Sequence, residues 1–116
     1  MAKLVINAQK LGSPEEAEKI GLLCLAMQED KTVNFLYDGK IRVVEAHAVG
    51  HTDKGAVFRG YQVAGVASRP LPQWTLFSLD KVEALTLGKE ASEAPREGYA
   101  QGDRQMTGGV ICELAL

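Results

Sequence analysis

Cysteine and histidine are scarce in this 116-residue chain: Cys24 and Cys112 are the only thiols, His47 and His51 the only imidazoles. Neither cysteine stands at metal-ligand spacing to the other or to a histidine. Four residues of extended strand cover about 13 Å, too far for both histidines to hold one zinc ion. No metal site and no cofactor is expected, and a Cys–His nucleophile has no local support. Cys24 lies in helix-like and Cys112 in strand-like sequence, both among apolar neighbours, so two buried, reduced thiols are expected. No stretch approaches the roughly 20 apolar residues of a membrane span. The run Leu4-Val5-Ile6, closed by Asn7, is too short for a signal peptide's apolar core. A cytoplasmic protein with no membrane contact is the default. No sign of charge dominates: residues 1–60 hold 8 Lys+Arg against 8 Asp+Glu, residues 61–116 hold 5 against 7, and the net charge is −2. Net charge therefore does not support nucleic-acid binding, which draws on clustered Lys and Arg, although a local basic patch stays open. Glycine is plentiful, yet no phosphate-cradling Walker loop or G-x-G-x-x-G occurs.

What is present is ordinary globular composition, 46% hydrophobic and 24% charged, and a length suited to one domain over 1–116. Ser13-Pro14 with Glu16 forms a helix start, and Ile20, Leu23, Cys24 and Met27 form one apolar stripe. A helix over about 14–29 is expected. From residue 32 the period becomes two. Asp38-Gly39 marks a type I′ hairpin, which pairs Val33 with Val44, Phe35 with Arg42 and Tyr37 with Lys40. Further strands are expected at 40–50, 56–64, 74–79, 82–87 and 110–114, with a β-like run at 2–9. Gly60 and Gly65 suit a bend or bulge. Residues 88–109 carry no periodicity and are too long for a plain linker, so they are functional, wrapped on the sheet or mobile. The pattern is α+β: a small antiparallel β-barrel or strongly bent sheet with one N-terminal packed helix.

Paired catalytic carboxylates are not evident, since Glu45, Asp80 and Asp103 are scattered, and no catalytic residue is assigned. The chemistry-bearing set is Arg42, Arg59, Tyr61, Gln62 and Trp74 on the strands. Guanidinium forks take oxygen anions and aromatic faces take rings, so these residues suit a small anionic ligand such as a nucleotide. Strand parity puts Arg59 and Tyr61 on one face; Arg42 joins them only if register allows. Arg42 can instead lie over Phe35 as a cross-strand pair. Arg96, Tyr99 and Arg104 share a glycine-rich loop that suits a lid or a partner contact.

Tyr37-Asp38-Gly39, Arg42-Val43-Val44-Glu45, Arg59-Gly60-Tyr61-Gln62 and Phe77-Ser78-Leu79-Asp80-Lys81-Val82 resemble, in order, the motifs of WYL domains. The likeness covers about residues 32–87. Tyr61, Phe77 and Lys81 match its motif positions and Arg42 its hairpin arginine, while Gly60, Gln62 and Thr75 depart from it. The resemblance implies an SH3-like (Sm-like) barrel over about 32–87 and a ligand-sensing, non-catalytic role in bacterial or phage regulation or defence. The alternative is a protein–protein or homodimeric module that uses sheet edges and residues 88–109.

Overall fold

The structure, a computed structural model, describes residues 3–7 and 13–116. Residues 2, 8 and 9 of the expected N-terminal run lie outside them. The described part is α+β: one helix and a seven-stranded antiparallel sheet that is not closed. The elements are β1 (Leu4–Ile6), α1 (Pro14–Gln28), β2 (Lys31–Tyr37), β3 (Lys40–Thr52), β4 (Gly55–Gly65), β5 (Gln73–Ser78), a 3-10 turn (Leu79–Lys81), β6 (Glu83–Ala91) and β7 (Gly109–Leu114).

Local sequence sets most boundaries. The Ser13 side chain accepts from the Glu16 N–H, and Pro14 opens the helix with no N–H to leave unpaired. Asp38 and Gly39 have φ of 54° and 73°, the two left-handed residues a type I′ turn requires. The turn fixes Phe35 opposite Arg42 and Tyr37 opposite Lys40, the expected register.

Strand β3 organises the sheet. One edge pairs with β4 along nearly its whole length. The other edge pairs with β2 over Lys40–Val44 and then with β7 over Ala48–His51. Between Ala46 and Ala48 the β3–β4 register shifts, leaving His47 as an extra residue. Such a bulge re-aims a side chain and bends its strand. Gly60 lies opposite Ala46; a Cβ there would collide with Val44 Cγ1, so the residue permits a close approach.

The sheet uses both faces. On one, Phe35, Phe58 and Phe77 meet with ring centroids 5.1–5.7 Å apart. Ile20, Leu23, Ala26 and Met27 of α1 complete this core. Each fully buried large side chain there contributes roughly 1.5–3 kcal/mol. On the other face Ala48, Val57 and Met106 form a smaller cluster. Residues 92–108 pass over it, with Tyr99 and Met106 packed into the cluster, and β6 runs on to Ala91, four residues past the expected end.

The expectation of two reduced thiols is corrected. Packing of α1 against β7 brings the Cys24 and Cys112 Cα atoms within 6.3 Å, and the two sulfurs form a disulfide. A pairing across 88 residues leaves no trace in local sequence. Closing so long a loop stabilises the fold by roughly 4–5 kcal/mol in the chain-entropy account. Cys24→Ser is expected to lower unfolding free energy by about that amount in guanidinium titrations. It should also abolish any further loss on adding a thiol reductant. Equal stability of the oxidised and reduced wild type would contradict the assignment.

Candidate functional site

A buried carboxylate fixes the segment that crosses the outer face of β3 and β4. Glu45 is 2% exposed. Its Oε1 accepts from Arg96 Nε at 2.7 Å and its Oε2 from Arg96 Nη2 at 3.1 Å, a bidentate pair. Oε2 also accepts from the Glu93 backbone N–H at 2.8 Å. His47, turned by its bulge, completes the latch. Its Nε2 accepts the Arg96 backbone N–H at 2.9 Å, so Nδ1 carries the proton and donates to the Glu45 carbonyl at 2.9 Å. Burial, reinforced by the Arg96 charge, lowers the His47 pKa from 6.5 to about 4 against the opposing pull of Glu45.

The segment is held at further points. Tyr99 Oη donates to the Leu114 carbonyl at 2.8 Å, and burial holds its hydroxyl above the usual phenol range. Arg59 donates from Nε to Asp103 Oδ2 at 2.8 Å and from Nη2 to Oδ1 at 3.4 Å and to Gln105. Burial opposes ionisation of Asp103, but hydrogen bonds from Arg59 and the Gln105 N–H outweigh it and hold the carboxyl below its ordinary value. Gln101 Nε2 donates to Glu113 Oε1 at 3.2 Å.

Under this strap lies a groove of about 540 Å³, bounded by Arg59 and Trp74 on the sheet and by residues 98–104 on the strap. That size is ordinary for a small-molecule site. Trp74 pairs with Tyr61 across β4–β5, with ring centroids 5.0 Å apart, and its edge contact with His47 is at 4.6 Å. Gly98 has φ +95°, and a Cβ there would lie 3.1 Å from Trp74 Nε1, so the strap presses glycine backbone against the indole. The Arg96 guanidinium lies over the Tyr61 ring at 5.1 Å.

Of the strand residues singled out in the sequence, Arg59, Tyr61 and Trp74 share this face, and the loop residues Arg96, Tyr99 and Arg104 lie over it. Arg59, Trp74, Tyr99 and Arg104 line the groove itself. Arg42 and Gln62 do not join them. Arg42 packs over Tyr37 at 5.5 Å, rather than over Phe35, and donates from Nη1 to Gln62 Oε1 at 3.3 Å. Gln62 donates in turn to the carbonyls of Ala64 and Val66, bracing the chain beyond β4. The register shift between Val43 and Val44 sets this pairing. Arg42 Nε is buried without a partner among the described residues. Phe77 is core, and Asp80 accepts from the Ser78 hydroxyl at the 3-10 turn.

In the sequence Glu45 and Asp103 stand as scattered carboxylates. Their partners stand 51 and 44 positions away, so no spacing rule reveals them. The described residues contain no group of three or more His, Cys, Asp or Glu side chains able to hold a metal ion. No described helix is long and apolar enough to cross a membrane. Comparison with protein-family models, curated proteins and solved structures returns no match.

Two outcomes follow from the latch. Because the folded His47 pKa, about 4, lies below its unfolded value of 6.5, the unfolded chain binds the extra proton between them. The histidine's contribution is therefore complete above pH 6.5 and is lost as pH falls, by about 3 kcal/mol at pH 4. Urea titrations across pH 4–7 should show this slope, and His47→Gln should flatten it. Arg96→Met leaves Glu45 buried without its counter-charge and is expected to cost about 3 kcal/mol; a neutral effect would show that the carboxylate is not confined.

Proposed function

We propose that this chain is a non-catalytic ligand-binding module whose site is the groove between β4–β5 and residues 98–104, and that the ligand is a small anion such as a nucleotide. One observation carries the reading. Arg59 and Trp74 of the sheet and Tyr99 and Arg104 of the strap meet around one groove of about 540 Å³. Two are cationic and two aromatic, the donor set that an anionic ring compound uses. A sensing role fits the motif order similar to WYL domains. An SH3-like barrel is the finer form we propose for the sheet. It is supported by the consecutive pairing β6-β2-β3-β4-β5 and by Tyr37 Oη accepting the Ser78 N–H across its open side at 3.1 Å. The non-catalytic reading is supported by His47, both of whose ring nitrogens are engaged, and by Cys112, which is held in a disulfide. That disulfide removes the cysteine argument for the cytoplasm and fits an oxidising compartment.

A homodimeric or partner-binding role through sheet edges is weaker. Strand β6 pairs only with β2 among the described residues, but two register shifts interrupt that pairing. Bulges of that kind blunt an edge against further strand addition.

Calorimetric titration of the oxidised protein against nucleoside mono-, di- and triphosphates tests the reading. Saturable one-to-one binding of at least one compound, lost in Trp74→Leu that remains folded by circular dichroism, is the expected outcome. A folded wild-type protein that binds none of them overturns it.

A further inference from the structure

The charges around the groove restrict what can enter it. This inference rests on the proposed groove but concerns the ligand's charge. Arg59 is already committed, with its Nε and Nη2 engaged by Asp103 and Gln105. Asp103 brings a carboxylate to the groove wall. Glu113, 7% exposed, sits behind the strap and accepts from Gln101 Nε2 and the Gly102 N–H, both of groove-lining residues. Among the lining residues Asp103 neutralises Arg59, so the groove wall carries a single surplus positive charge, that of Arg104.

Within that balance one cation is free. Arg104 is exposed, lines the groove, and has no ion pair or hydrogen-bond partner among the described residues. Beside it the only tryptophan of the chain forms part of the opposite wall. Gly98 of the strap lies against its Nε1, and the ring forms a flat aromatic wall. A single anionic group finds the Arg104 guanidinium there, and a flat ring finds the indole wall. A second and third anionic group would find no further uncommitted cation among the lining residues and would meet the Asp103 carboxylate on the wall.

The geometry points to a ligand consisting of an aromatic ring with one anionic group, held by Arg104 and Trp74, with polyphosphates excluded. A nucleoside monophosphate and an aromatic monocarboxylate share that chemistry.

Because the chain has one tryptophan, its emission reports the groove directly. Oxidised protein is excited at the red edge of the indole band and titrated in parallel with AMP, ATP, adenosine and benzoate. AMP or benzoate is expected to change Trp74 emission saturably, and which of them does so identifies the source of the anion. ATP is expected to bind at least about tenfold more weakly than the preferred monoanion. Arg104→Gln, an exposed position, should leave thermal stability unchanged and weaken the monoanion about tenfold, with Arg104→Lys restoring part of it. Adenosine should be indifferent to both variants. ATP binding as tightly as AMP, or Arg104→Gln without effect on the monoanion, overturns this inference and leaves the ligand-binding reading standing. Absence of any binding overturns both.

Discussion

A carboxylate taken out of water needs a counter-charge, and the Glu45–Arg96 pair is how this chain meets that need. Glu45 sits in the middle of the longest strand, on the face that α1 does not cover. Its partner lies in a stretch with no regular secondary structure. Once the fork closes on the carboxylate, the path of residues 92–108 is largely decided. The Arg96 N–H meets His47, and the guanidinium covers Tyr61. Gly98 then comes down on Trp74, and Asp103 reaches Arg59. The groove is the space left between that strap and the sheet.

Strand β7 ties the two faces together. Cys112 fastens it to α1 on the core side, while the Leu114 carbonyl and Glu113 side chain anchor Tyr99 and Gln101 of the strap. A cross-link on one side and a hydrogen-bonded strap on the other thus share one short strand. Rigid support of this kind lets irregular backbone line a site without collapsing into it.

The regular elements were legible because their causes are local. Ser13-Pro14 starts α1, Asp38-Gly39 fixes the β2–β3 register, and the alternation of Val33, Phe35 and Tyr37 names the buried face. What was not legible depends on distant partners. The disulfide, the Glu45–Arg96 fork and the Arg59–Asp103 pair each join residues more than 40 positions apart. Arg42 and Arg59 are both strand arginines and look alike in the sequence. The shift after Val43 and the extra residue at His47 separate their faces; Gly65 and Gly60, the two glycines that suit a bend or bulge, lie beside them without saying which residue is extra. Gln62 read as a ligand contact because it is polar on a strand, whereas it is fully buried and braces its own chain.

Amide hydrogen exchange at single-residue resolution tests the central claim most directly, because a strap fixed by a buried ion pair protects backbone that no helix or sheet protects. The Arg96 N–H, received by His47 Nε2, should exchange as slowly as the amides of β3 at neutral pH. Exchange of that amide at the rate of an unstructured chain, with β3 still protected, would mean that residues 92–108 are not held on the sheet and that the groove is not a standing feature of the molecule.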